Sequence, residues 1–270
     1  MCHYGKKFDE FIDEKYNVKQ NISSSEDTPE CLLKIVEYLN NYNLNVNKDY
    51  IDGRVGSIKD EDSCIEALRK SDEFITTNND VDFEGANFDD KIYIVVPKIR
   101  DWFDIRVVYN NKNYYINIKS SSLKTPDNVG CIDAIIFGLF GKFFKDKNKD
   151  KKYAKLFHEY NNCCDNGFDS IEEFDYYFLV INKNDKGRCF ITSLCHMNNN
   201  SIQSNGSNLP FQCKWLNNSN KKSKKEDVCN LIMDVIFNSL IKSVDIFNTE
   251  PLRIYIDRHK KKVSIPLWED

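Results

Sequence analysis

Residues 104–119 read DIRVVYNNKNYYINIK, and their two-residue alternation leaves room for little except a pair of β-strands. Ile105, Val107 and Tyr109 fall on one side of the first strand and Asp104, Arg106 and Val108 on the other, because successive strand side chains point to opposite faces. In the second strand Tyr114, Ile116 and Ile118 oppose Tyr115, Asn117 and Lys119 in the same way. The intervening Asn110-Asn111-Lys112-Asn113 supplies turn residues, so a hairpin is expected. The expected register pairs Tyr109 with Tyr114 and sets Asp104 opposite Lys119. A carboxylate, an amide and an ammonium then share one face, with facing Cβ atoms about 5 Å apart.

A carboxylate with a second oxygen ligand two residues before a lysine suits a hard cation such as Mg²⁺, while the ammonium orients water or stabilises a pentacovalent phosphate. Phosphodiester hydrolysis needs those parts. An ordinary Asp–Lys pair on a solvated sheet face has the same spacing and contributes about 0.2–1 kcal/mol, so spacing alone does not separate the two readings.

Phe103-Asp104 followed by Asn117-Ile118-Lys119 resembles the PD-(D/E)XK nuclease superfamily, where an Asp opens one strand and acid-x-Lys lies on the next. The continuation KSSSLKTPDN, polar and followed by an apolar helix, is similar to type II restriction endonucleases of that superfamily. The resemblance implies an α/β restriction-endonuclease-like core, with a mixed central β-sheet flanked by helices. It implies Mg²⁺-dependent cleavage of double-stranded DNA at a short specific site by a homodimer, since a two-fold protein matches two half-sites. Asp104, Asn117 and the Ile118 carbonyl are the implied metal ligands, and Lys119 positions the attacking water or neutralises the scissile phosphate. Ser121, two residues beyond Lys119 on its face, and Lys124 in the same polar stretch are expected substrate contacts.

Asn117 departs from the pattern, because an amide oxygen is a neutral and weaker ligand than a carboxylate. Glu61 is the first candidate to compensate. The segment GRVGSIKDEDSCIEALRKSDEF puts Arg54, Ser57 and Glu61 just before or at the start of a helix, similar to the acidic helix ahead of the catalytic sheet in several restriction enzymes. Arg54 and Ser57 join the expected substrate contacts. Asp60, Glu61 and Asp62 equally suit a helix N-terminus through its dipole and caps. Glu37 and Glu10 are further candidate acids. A repair or recombination nuclease of the superfamily and a noncatalytic DNA-binding protein are the alternative functions.

The chain is 41% hydrophobic, enough for a substantial core within 270 residues, and is expected to form one nuclease domain. Within it, 1–90 is the helical N-terminal part, 91–197 the catalytic core, and 198–270 a DNA-contacting loop, long helix and terminal hairpin. A net charge of -4 argues against nonspecific coating of nucleic acid but is compatible with a local basic cleft. No apolar run of membrane length occurs and MCHYGKKFDE lacks an apolar signal core, so a soluble cytoplasmic protein with no membrane partner is expected. The ten cysteines include no CxxC pair and read as reduced thiols. Cys189, Cys195, His196 and Cys213, or His158 with Cys163 and Cys164, contain zinc-ligand types at spacings that match no zinc module.

Helical spacing predicts a first helix near 5–17, a second opened by Pro29 with Leu32, Ile35, Val36 and Leu39 as its stripe, and a third over 61–74. Residues 76–91 read as an exposed loop and 92–96 as the first sheet strand. Pro126 is expected to open an apolar helix carrying Ile132, Ile135, Ile136, Leu139 and Phe140, followed by a solvated charged loop over 142–152. Residues 174–181 read as a buried strand, with 188–194 its neighbour across a turn at 184–187. Helix, three strands, helix, two strands is the element order of the nuclease core. Polar residues 198–225 suit a DNA-reading loop or a surface insertion alike, Asp227 caps a final helix, and 252–256 with 263–267 form a hairpin whose Arg258, His259 and lysines would touch phosphates.

Overall fold

A computed structural model of the chain describes residues 23–42, 44, 46, 53–78, 91–97, 101–129, 131–144, 146–168, 174–205 and 210–241. The expected first helix and terminal hairpin lie outside the described residues. Five helices are present among those described: α1 (Glu30–Tyr42), α2 (Gly53–Arg69), α3 (Ile132–Phe140), α4 (Lys149–Asn166) and α5 (Lys225–Ile241). None is long and apolar enough to cross a membrane.

The central sheet contains β1 (Phe74–Thr77), β2 (Ile92–Val95), β3 (Ile105–Tyr109), β4 (Lys112–Ser121), β6 (Tyr177–Asn182) and β7 (Arg188–Ser193), in the order β1-β2-β3-β4-β6-β7. It is mixed. The three strands β2, β3 and β4 form an antiparallel meander. After β4 the chain crosses through α3 and α4 and returns in β6, parallel to β4, before reversing into β7. Parallel neighbours require such a crossover because no tight turn can join them. The α/β architecture, a mixed sheet flanked by helices, is as the sequence implies. A second, antiparallel sheet has the order β5-β9-β8, from β5 (Asp127–Val129), β8 (Ile202–Ser204) and β9 (Phe211–Cys213).

Alternation sends the strands' side chains into two cores. Ile94, Ile105, Val107, Ile116, Ile118 and Leu179 pack with Leu32, Ile35 and Leu39 of α1 and Ala67 and Leu68 of α2. On the opposite face Tyr115, Phe178, Val180 and Phe190 pack with Ile135 and Leu139 of α3, Phe157 of α4 and Ile236 of α5. The small sheet closes this second core with Val129, Ile202, Phe211 and Cys213.

The hairpin register differs from the sequence expectation by two residues. Asn110 (φ 48°) and Asn111 (φ 59°) both adopt left-handed backbone, so the turn is a two-residue turn of the type whose twist suits hairpins. Tyr109 therefore pairs with Lys112, Val107 with Tyr114 and Ile105 with Ile116. Lys112 and Asn113 belong to β4 instead of the turn. Asp104 then lies level with Asn117, and Lys119 lies two residues further on. A shift by an even number preserves the faces, since the side-chain period is two.

Other boundaries move as well. Pro126 precedes a strand: β5 pairs with β9 through Asp127↔Cys213 and Val129↔Phe211, and the helix begins only at Ile132. The third helix starts earlier than expected, at Gly53, and Phe74–Thr77 is a strand parallel to β2. The charged run turns helical at Lys149, where Asn148 caps α4 by accepting from the Asp150 and Lys151 amides, and Tyr153, Leu156, Phe157 and Tyr160 form its buried stripe. The final helix begins at Lys225, two residues before the expected cap.

Candidate active site

Asp104 sits at the entrance of β3, where strand pairing gives way to coil. Its amide donates to the Ile116 carbonyl at 2.9 Å, and its carboxylate Oδ2 accepts from the Ile118 amide at 2.7 Å. The side chain thus replaces a ladder carbonyl that β3 no longer provides. One carboxylate oxygen is thereby anchored to β4 between Asn117 and Lys119. The N–H and C=O of one residue face the same strand edge, so the Ile118 carbonyl is directed to the edge that Asp104 occupies.

Glu61 joins Asp104 in lining a pocket of about 540 Å³ at the end of the sheet. Helix α2 contributes Glu61, Asp62, Glu66 and Arg69, the segment after β2 contributes Pro97, and Phe103 precedes Asp104. Within this lining Glu66 is paired with Arg69 at 2.8 Å. Burial raises the pKa of the neighbouring Cys64 thiol, with the charges of Cys189, Asp104 and Glu61 adding to the effect.

Asn117 and Lys119 face the second core by strand alternation, adjoining the pocket without lining it. Asn117 Oδ1 is buried and accepts no hydrogen bond. Beside it, the Tyr176 hydroxyl donates to the Trp102 carbonyl at 2.6 Å. Burial, then the charges of Cys131 and Asp104, hold the Tyr176 pKa well above the ordinary tyrosine range, with Asn117 working the other way. Lys119 is half-buried, and its charge acts on Asp127.

Asp127 is the acid that the sequence reading missed, because TPDN looks like a helix start. Its Oδ2 accepts from Ser121 Oγ at 2.5 Å and from Trp215 Nε1 at 2.6 Å. Burial raises its pKa, opposed by these two hydrogen bonds and by Lys119 and Lys183. Ser121 is 1% exposed; its hydroxyl donates to Asp127 and accepts from the Leu123 amide at 3.0 Å. Lys124 is exposed in the bend between β4 and β5.

Ser57 belongs to a different cluster, between α2 and the first core face of the sheet. Lys183 Nζ lies 3.4 Å from Ser57 Oγ and 3.6 Å from Asp60 Oδ2, and Ser120 Oγ donates to the same Asp60 oxygen at 2.5 Å. Arg54 lies in the first turn of α2. Glu37 is exposed on α1.

Among the described residues no three His, Cys, Asp or Glu side chains gather closely enough to hold a metal ion, which removes both zinc groupings. The ligand groups at the Asp104 edge are nevertheless oxygens: the Asp104 and Glu61 carboxylates that line the pocket and the Ile118 carbonyl, with Asn117 Oδ1 on the other face of β4. Mg²⁺ keeps several waters and is commonly held by one or two carboxylates together with substrate phosphates, so this donor set suits it without a third acid. Neither the models of known protein families nor the curated proteins include a match to this chain.

Proposed function

We propose that this protein is a Mg²⁺-dependent endonuclease that hydrolyses phosphodiester bonds of double-stranded DNA at a short specific site, as a type II restriction endonuclease does. The observation that carries the reading is the anchoring of the Asp104 carboxylate on the Ile118 amide, between Asn117 and Lys119, with Glu61 in the same pocket. The element order supports it: a helix, an antiparallel meander, a crossover, and a strand parallel to the meander's last.

In this reading Asp104 and Glu61 would hold the cation, with the Ile118 carbonyl as a neutral ligand; Asn117 Oδ1 would join them only by turning from the second core toward the pocket. When bound, Mg²⁺ supplies Lewis acidity toward a phosphoryl oxygen. Lys119 orients the attacking water or neutralises charge building on the phosphate, an effect strengthened by its half-buried setting. Asp127, with its link to Ser121, fixes the end of β4 that carries this lysine. A homodimer would bring two such sites to the two strands of a symmetric sequence.

The test is incubation of the full chain and Mg²⁺ with a broad panel of plasmid and genomic DNAs. Discrete fragments, lost on adding EDTA, are expected. Asp104→Asn retains an oxygen for the Ile118 amide while removing the charge, so it should fold and fail to cut; Lys119→Ala should fail likewise. Cleavage by Asp104→Asn at the wild-type rate overturns the site. The neutral Asn117 favours one competing reading, a noncatalytic DNA-binding protein. An intact DNA panel with retained gel shift in Ca²⁺ is the result that selects it.

A further inference from the structure

The small sheet turns an amide-rich face outward. Its inward residues Val129, Phe211 and Cys213 are buried in the second core, so alternation presents Asn128 of β5, Gln212 of β9 and Gln203 of β8 on the other side. The register aligns them in one row, Asn128↔Gln212↔Gln203. The row is internally bonded. Gln203 Nε2 donates to Gln212 Oε1 at 3.1 Å, Gln212 Nε2 donates to Asn128 Oδ1 at 3.1 Å, and Asn205 Nδ2 donates to the same Asn128 oxygen at 3.1 Å.

These bonds fix the amides without exhausting them. A primary amide has two N–H donors and two acceptor lone pairs. Gln203, at the end of the row and exposed, retains its carbonyl oxygen and one N–H side by side. That donor–acceptor fork matches the N6 and N7 edge of adenine in the DNA major groove, and β8 is an edge strand of the small sheet, so Gln203 is at the side of the row from which a groove can be approached. No carboxylate occupies the outward positions of the three strands, although the chain's net charge is -4, and the exposed Lys124 and Lys214 flank them. The face is also tied to the candidate site, because Asp127, beside Asn128, accepts from Ser121 at the end of β4.

We infer that the outward face of this sheet reads base edges of duplex DNA, with Gln203 contacting an adenine and Gln212 and Asn128 holding its amide in place. The inference rests on the nuclease reading and assigns the residues that determine its sequence preference.

The experiment binds full-length protein, in Ca²⁺ so that bound DNA stays intact, to duplexes with a randomised core and sequences the bound fraction. Wild type should enrich a motif with an adenine position. Gln203→Ala should lose preference there by roughly 10- to 100-fold, while affinity for unrelated duplex stays unchanged because phosphate contacts dominate it. Gln203→Glu, an acceptor only, should move the preference from adenine toward cytosine, whose N4 is a donor. Unchanged melting of both exposed-site variants separates loss of reading from loss of fold. The same motif enriched equally by wild type and both variants overturns the inference and leaves the nuclease reading intact. No motif enriched by wild type also overturns it. A motif that depends on Gln203, in a protein that cuts no DNA with Mg²⁺, sustains the inference and removes catalysis alone.

Discussion

Gly138→Ala should destabilise this protein even though alanine is the better helix former. A Cβ added at Gly138 would lie 2.5 Å from Leu194 Cδ1, 2.7 Å from Tyr176 Cβ and 3.3 Å from the Tyr176 amide nitrogen. Carbon atoms in contact prefer about 3.5–4.0 Å, so both carbon contacts overlap by roughly an ångström. The Leu194 methyl is a chain end and has some freedom to rotate. Tyr176 Cβ does not, because the Tyr176 amide donates to Asp175 Oδ1 at 2.8 Å, its carbonyl accepts from Leu194 N at 3.0 Å, and its hydroxyl donates to the Trp102 carbonyl. Overpacking against such a fixed atom costs about 3 kcal/mol, the upper part of the usual range. Helix propensity returns about 1 kcal/mol. A net loss of about 2 kcal/mol is expected, seen in urea as a lower midpoint with an unchanged slope. A midpoint at or above wild type would show that propensity wins and that α3 does not press on Tyr176 as described.

Asp60→Ala removes one partner from a pair in which the Asp60 side chain is 1% exposed, leaving Lys183 and the Ser120 hydroxyl without it. The expected loss is about 3–5 kcal/mol by chemical denaturation, with Asp60→Asn milder because an acceptor for Ser120 remains; equal stability of Asp60→Ala and wild type refutes the role of the pair. His196 should make the protein acid-sensitive. Burial lowers its pKa, helped by Lys222 and opposed by Asp175 and Asp27, so the unfolded chain takes up a proton where the folded chain does not. That stability is fully present above the unfolded value of about 6.5 and is lost as pH falls toward the depressed folded value. Wild type should therefore lose more stability than His196→Gln between about pH 7.5 and about pH 5.5, and equal losses in denaturation curves refute the assignment.

Alternation made the central strands legible, because Ile105, Val107, Ile116 and Ile118 bury one face whatever the register. Register was not legible. Asn110-Asn111 and Asn110–Asn113 both contain turn formers, and only the left-handed backbone at both Asn110 and Asn111 decides for the shorter turn. Helix α4 was hidden because its lysines and acids dominate a simple reading, although Tyr153, Leu156, Phe157 and Tyr160 keep helical spacing. The small sheet was beyond reach for another reason. Three-residue strands show barely one alternation, and the existence of β5 depends on a pairing partner more than 80 positions away, as in Asn128↔Gln212.

The two-residue slip decides which acid serves which partner. Had the register slipped by one, Asn117 and Lys119 would have exchanged faces with Ile116 and Ile118. The even slip brings Asp104 to the level of Asn117, and the charge of Lys119 acts on Asp127. The sequence reading asked one carboxylate to face the lysine and bind a cation together. In the folded chain the two roles fall to different groups: Asp127 feels the lysine's charge, while Asp104 and Glu61 line one pocket, where the proposed cation would sit. The neutral Asn117 is then a smaller deficit than the sequence suggests. In the proposed site the acid it lacks would come from Glu61 of the neighbouring helix, while its own Oδ1 is buried and accepts no hydrogen bond.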